Sequence, residues 1–125
     1  MRLRGAVFAG RRNFANLDLH GYNLSARDLR ASNFSRANLT RANLEGANLR
    51  RCNFAGANLS DASLRFADLY AANLRGACLS GADLSGAILR YASLNGVRVS
   101  VHTRWPEHFS VPSDVTVELS NREHG

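Results

Sequence analysis

An all-β solenoid, wound from short extended segments with four segments to each turn, is the architecture that this chain of 125 residues encodes. Three observations point to it. Large apolar residues recur at every fifth position, from Phe14, Leu19, Leu24 and Leu29 through to Leu84, Leu89 and Leu94, seventeen in all. A small residue stands two before each centre from Ala37 to Ala92, always Ala except for Cys52. Phe14, Phe34 and Phe54, continued by Leu74 and Leu94, lay a slower interval of twenty over the first. Such an internal period decides architecture before any local propensity counts.

The unit reads Ala-Asn-Leu-x-x, centred on the Leu. Residues two apart point the same way only in extended backbone, so the Ala and the Leu face inward together and the Asn or Asp between them faces out. The last two positions suit turns, with Gly21, Gly46, Gly56, Gly76, Gly81, Gly86 and Gly96 in the final place. An α-helix fails on two counts. A period of five matches neither 3.6 nor 3.5, so the Leu positions would wander round its surface. Asn and Gly at this density also disfavour helix interiors.

The interval of twenty sets four units per coil and stacks Phe14, Phe34, Phe54, Leu74 and Leu94 in one internal column. Coils are expected ~4.8 Å apart, the spacing of hydrogen-bonded strands. Outside, Asn13, Asn33, Asn53 and Asn73 are expected to align, where stacked amides can bond to one another. Two further units, centred on Leu3 and Phe8, precede Phe14. The step from Phe8 to Phe14 is six, which predicts an extra residue near Arg11 or Arg12, a bulge at a corner. Arg12 and Arg27 occupy inward positions in the first coil, where an unpaired charge is costly, so that coil is expected to be wider or to release them to its open end.

Motifs such as Ala37-Asn38-Leu39-Thr40-Arg41, Ala42-Asn43-Leu44-Glu45-Gly46 and Ala82-Asp83-Leu84-Ser85-Gly86 resemble the pentapeptide-repeat family. The resemblance covers residues 1–99 and implies a right-handed quadrilateral β-helix of about 4.5–5 coils. It is specific for fold and weak for function, since one fold carries unrelated roles.

After Leu94 the pattern decays through Val97 and Val99, making residues 100–125 a C-terminal capping segment. Thr103-Arg104-Trp105-Pro106-Glu107-His108-Phe109 is similar to an element that follows the last repeat in many such proteins. Pro106 cannot continue a ladder, and an open coil end exposes apolar residues and strand edges. Trp105 and Phe109 are therefore expected to fold under the last coil. Val115, Val117 and Leu119 alternate with Thr116 and Glu118, which reads as a short strand with one buried face. That strand either finishes the cap or meets a second molecule, so the chain is a monomer or a homodimer joined at a coil end. Residues 121–125 are expected to be loose.

The formal charge of +6 is built from sixteen Arg with no Lys. A cation set made only of Arg suits anion recognition, and equally follows from codon usage in a GC-rich genome. No stretch approaches the ~20 apolar residues of a membrane span, and no secretory signal is evident, so the expected location is the cytoplasm with no membrane partner. Cys52 and Cys78 have neither metal-ligand nor disulfide-framework spacing and read as small buried thiols.

Without Lys there is neither a Gly-Lys-Ser/Thr phosphate loop nor a Schiff-base lysine. His20, His102, His108 and His124 lie far from any Cys or acidic pair at ligand spacing. No catalytic residue, metal site or cofactor is assigned. Sorting residues by face is more informative. Arg30, Arg50, Tyr70 and Arg90 follow the centres 29, 49, 69 and 89, with Arg51 and Tyr91 beside them, and Asp28 and Asp68 offer partners. This column either docks phosphates, bases or an acidic protein, or is a solvated face where Arg stacks on Tyr. The face centred on 19, 39, 59 and 79 carries Thr40, Ser60 and Ser80 and offers little to a ligand.

Three readings follow. The first is a non-enzymatic, rigid protein-interaction module. The second is nucleic-acid binding through the Arg face, lost steeply with salt. The third comes from the resemblance alone: some pentapeptide-repeat proteins mimic duplex DNA and protect DNA gyrase. Those members are acidic and usually longer, whereas this chain is short and basic.

Overall fold

The chain is a right-handed quadrilateral β-helix, and the computed structural model describes residues 10–119 of it. Its four sides are built by parallel bridges between residue n and residue n+20. Asn13 pairs with Asn33, Asp18 with Asn38, Asn23 with Asn43 and Asp28 with Asn48, and the same register repeats up the tube. Phe14 N–H donates to Asn33 O at 2.7 Å, and Asn33 N–H donates to Arg12 O at 2.7 Å. The four sides are called here the first to fourth faces, centred on Phe14, Leu19, Leu24 and Leu29 and on the residues stacked upon each.

Every regular corner is a tight turn closed from one centre to the next unit, as in Tyr22 N–H to Leu19 O at 3.1 Å and Ala57 N–H to Phe54 O at 2.9 Å. The residue two after each centre is left-handed. Gly fills that place in part, but so do Asn16, Ala26, Ala31, Arg36, Arg41, Arg51, Asp61, Phe66, Ala71 and Tyr91, with φ of 56–63°. A positive φ at the third turn residue is what a type II turn requires, and it costs about 1–2 kcal/mol in a residue with a Cβ. Except at Tyr91, beyond which the ladder does not continue on this side, each such residue is held by its own N–H bonding to the next coil, for example Ala31 to Arg50 O at 2.8 Å and Phe66 to Ser85 O at 3.0 Å.

The core is one continuous column. The rings of Phe14 and Phe34 stack at 4.8 Å and those of Phe34 and Phe54 at 5.1 Å, within 8° of parallel. Leu39, Leu44, Leu59, Leu64, Leu74 and Leu79 are fully buried around them. The Cys52 thiol bonds to Leu29 O at 2.9 Å, and burial pushes its pKa up to about 11. Both cysteines are free.

The outward Asn and Asp do something other than the expected axial ladder. Asn53 Oδ1 accepts the N–H of Ala55 at 2.9 Å, Asn38 that of Thr40 at 3.1 Å and Asp83 that of Ser85 at 3.0 Å. The side chain thus closes a small loop onto its own turn, which is why a short polar side chain is needed there. In the column of Asn13, Asn33, Asn53 and Asn73 the amide-to-amide bond is the long one from Asn73 to Asn53, at 3.4 Å.

At the N-terminal end Gly10 is left-handed, six residues before Asn16 where the interval is otherwise five. The extra residue therefore falls between Gly10 and Asn13. Arg12 is exposed and Arg27 half-buried. The units centred on Leu3 and Phe8, and residues 121–125, lie outside the described residues.

At the other end the coil loses its regularity for a local reason. Val101 stands where the corner requires a left-handed residue, a conformation that β-branched side chains resist. The chain takes one extra residue there instead: Arg104, not residue 103, pairs with Asp83. Trp105 and Phe109 stack at 5.4 Å and pack half-buried against the core. Strand β1 (Arg98–Ser100) then pairs in parallel with β2 (Thr116–Glu118), Val99 opposite Val117. Thus β2 is added to its own last coil. The expectation of one buried face on it needs correction. Val115 is half-buried, but Val117 is 54% and Leu119 73% exposed, because the other walls of the tube do not extend to this level.

Candidate functional site

The fourth face carries the unusual surface, and the repeat explains its geometry. Successive coils place Arg30, Arg50, Tyr70 and Arg90 in one column just before the corner to the first face. Arg51 and Tyr91 occupy the corner itself. Arg30 pairs with Asp28 at 3.3 Å and Arg50 with Asp68 at 3.1 Å, which relieves repulsion between neighbouring coils. The Arg50 guanidinium also lies 4.4 Å over the Tyr70 ring, with Arg51 at 5.6 Å. Tyr70 meets Tyr91 edge-on at 5.5 Å, and Arg90 lies 5.2 Å from the Tyr91 ring centre. Arg30 sits at the N-terminal end of this column, and no ring contact ties it to the cluster among the described residues.

Two residues that the sequence reading passed over complete the surface. Phe66 takes the left-handed corner position between the third and fourth faces, with φ 57°, and is 59% exposed. Ile88 replaces the usual Asn or Asp on the fourth face and is 48% exposed. Ile88 departs from the usual Asx of its position, and Phe66 is a large aromatic residue at a corner position where Gly, Ala and Arg are the commoner occupants. A bulky aromatic residue in left-handed backbone is strained, and Ile supplies no acceptor for the N–H two residues on. With Tyr91, 68% exposed, they make an apolar group on one side of the tube. The legible signal was the departure itself, an aromatic residue and an Ile where the unit calls for Gly and Asx.

Electrostatically the patch is positive and its acids are already engaged. Arg65 pairs with Asp83 at 3.2 Å. The Asp83 carboxyl loses some solvation by burial, but the Ser85 hydroxyl and amide and the Arg65 guanidinium outweigh that and hold it below its ordinary pKa. Arg51 and Arg90 enter none of the ion pairs among the described residues. The face therefore presents two guanidinium groups that no carboxylate compensates among the described residues, on the same side of the tube as an apolar group. Such composition, rich in Arg and aromatic residues and free of Lys, is that of interface centres.

The fourth face adjoins a second feature. On the second and third faces the bridges continue into the last coil, to Arg98 and Arg104, whereas on the fourth and first faces they stop at Ile88 and Ser93. The uncovered edge leaves a cavity of about 360 Å³ lined by Leu89, Ala92, Leu94, Phe109, Pro112 and Asp114, among others. Around the opposite end of β2, Glu118 accepts from the Ser80 hydroxyl at 2.5 Å and lies 3.8 Å from Arg98. Trp105, Phe109, Val115, Val117 and Leu119 belong to this C-terminal end and not to the Arg–Tyr cluster.

His102 and His108 are exposed, and no group of His, Cys, Asp or Glu among the described residues is arranged to hold a metal ion. No helix among them is long and apolar enough to cross a membrane.

Comparison with known proteins agrees with this architecture. The family described as Pentapeptide repeats matches in eight copies over residues 18–55, 32–69 and 67–100. A pentapeptide repeat protein, Rfr23, from the cyanobacterium Cyanothece 51142 is 36% identical, with a TM-score of 0.69 over 74% of this chain and 62% of that one. A pentapeptide repeat protein from Nostoc Pcc 7120 is 39% identical, with a TM-score of 0.50 over 88% of each chain. One from the Arabidopsis thaliana thylakoid lumen is 26% identical, with a TM-score of 0.62 over 85% of this chain and 73% of that one. This chain thus spans less than two thirds of the length of the Cyanothece protein. No curated protein matches it significantly.

Proposed function

This chain belongs to the pentapeptide-repeat family, and from that premise we propose that it is a rigid, non-catalytic module that docks a protein partner through its fourth face. The observation that carries the reading is the double departure at Phe66 and Ile88. Both sacrifice local stability and both expose apolar surface on the face whose other corner carries Tyr70, Tyr91, Arg51 and Arg90. Departures from local rules without a folding benefit are expected at functional positions. The partner surface is apolar at its centre and acidic at its rim, to match the uncompensated guanidinium groups.

A nucleic acid is the less supported ligand, because Arg50 already covers a face of the Tyr70 ring on which a base would stack. A DNA mimic directed at gyrase needs a continuous negative face, and Asp28, Asp68 and Asp83 are each engaged by an arginine.

The test is photo-crosslinking in the native cell from probes at Phe66, Ile88 and Tyr91, with Thr40 and Ser60 on the second face as controls. One shared protein product from the three fourth-face probes, absent from the controls and lost in an Arg51→Ala/Arg90→Ala variant, supports the proposal. A product that nuclease removes, or equal products from both faces, refutes it.

A further inference from the structure

The core of the tube is sealed almost everywhere, and the places where it is not are informative. Leu24, Leu44, Leu49, Leu64, Leu69 and Leu84 have no exposed surface, whereas Leu89 is 8% and Leu94 6% exposed. These two line the cavity of about 360 Å³ left where the ladder stops at Ile88 and Ser93. Phe109 and Pro112 wall it from the capping segment, and Asp114 stands at its far rim, with its carboxylate near the Asn95 amide at 3.5 Å. Residues 90 and 91 are the turn between Leu89 and Ala92, both of which line the cavity. Arg90 and Tyr91 thus follow directly on one wall of the cavity, whose lining also includes Ser93, Asn95 and Ser110. A cavity floored by Leu and Phe gains free energy when apolar surface fills it, and tight interfaces set their anchors in such pockets beside the charged contacts.

We infer that this cavity is the anchor site of the docking face: the partner inserts one large apolar side chain between Leu89, Leu94 and Phe109, and acidic residues beside that anchor meet Arg90 and Arg51. The inference rests on the docking reading above and specifies the partner's chemistry. Two features of the molecule argue for this occupant over a free metabolite. The cavity is continuous with the Arg–Tyr cluster through residues 89–92. Arg90, on the turn between two lining residues, and Arg51, two coils back in the same cluster, lack carboxylate partners among the described residues, whereas Asp114 is the one charged residue of the lining itself.

The experiment uses the full chain and a fluorescein-labelled peptide of glutamates around one central phenylalanine. Its twin carries alanine at the centre. Fluorescence anisotropy is expected to give binding about tenfold tighter for the phenylalanine peptide, the difference one buried anchor makes. Ser110→Trp, on the exposed capping loop, fills the cavity and brings the two peptides to equal affinity. Arg51→Ala/Arg90→Ala weakens both peptides alike and leaves their ratio unchanged. Equal binding of the two peptides to the unsubstituted chain, with both weakened by the arginine substitutions, overturns the anchor while leaving the docking face standing. Binding of neither peptide, or binding indifferent to the arginine substitutions, overturns the docking face and the anchor with it. Circular dichroism of Ser110→Trp verifies that the solenoid is intact.

Discussion

The ring of Phe66 lies against Gly86, its counterpart one coil further along the same corner: a Cβ placed on Gly86 would sit 2.5 Å from Phe66 Cε1. Both residues are left-handed, φ 57° and 71°. The same arrangement, a side chain leaning over a glycine twenty residues on, recurs where Asp61 meets Gly81 and where Arg36 Cγ lies 3.4 Å from the place a Cβ on Gly56 would take. Gly86→Ala must displace an aromatic ring as well as strain its own backbone. It is expected to lower stability by about 1–2 kcal/mol, read as a fall in denaturation midpoint in urea.

Phe66→Gly is expected to act in the opposite direction. It relieves the left-handed strain, worth about 1–2 kcal/mol, and the ring that it removes is 59% exposed. The variant should melt higher and crosslink its partner less. A variant that melts lower would show that the ring stabilises the fold, and would remove the trade between folding and docking.

Ile88→Asn restores the acceptor that Asp68 and Asp83 supply to the N–H two residues on. A hydrogen bond of that kind contributes about 0.5–1.5 kcal/mol. Thermal denaturation should show the gain, and capture of the partner from the fourth face should fall. Asn53→Ala, which removes such an acceptor from Ala55, should lose a similar amount.

Acid should loosen the capping strand before the tube. The Ser80 hydroxyl, with smaller help from Cys78 and Arg98, holds Glu118 below its ordinary pKa of 4.5. A carboxylate whose folded pKa is depressed stabilises above its unfolded value, and that contribution is lost as pH falls from about 4.5 through the folded pKa. Hydrogen exchange at Thr116, whose N–H bonds to Val97 O, should quicken in that window in the unsubstituted chain. Glu118→Gln should abolish the dependence. Exchange that is independent of pH there, once corrected for intrinsic rates, contradicts the latch.

Cys52 should be inert to alkylation at pH 8 while the chain is folded. Its pKa is pushed up to about 11 by burial, leaving little thiolate. Iodoacetamide labelling followed by mass spectrometry should modify it only in denaturant.

The tube was legible because its rule is one-dimensional. Five-residue spacing gives the sides, the interval of twenty gives the coil, and Phe14, Phe34 and Phe54 stack as that interval requires. The outward Asn align as expected and bond along the axis in places, but their more frequent bond, to the N–H two residues on, was not legible, since both roles demand the same residue type and only coordinates separate them. The end of the tube was less legible still. Val117 and Leu119 alternate like a half-buried strand, but alternation carries no information on whether an opposing wall exists. Arg30, Arg50, Tyr70 and Arg90 align by arithmetic. Phe66 and Ile88 were overlooked, because a search for pattern passes over the residues that break it.

Parallel pairing at a constant offset of twenty also makes one coil the natural quantum of change. Removing residues 34–53 would bring Phe14 onto Phe54 and Arg30 beside Tyr70 with every wall still in register. Losing four or six residues would turn each side inside out. Length and surface in such a molecule can therefore be rewritten by whole-storey duplication or loss, with the decoration of each storey free to drift while the shaft beneath it stays plumb.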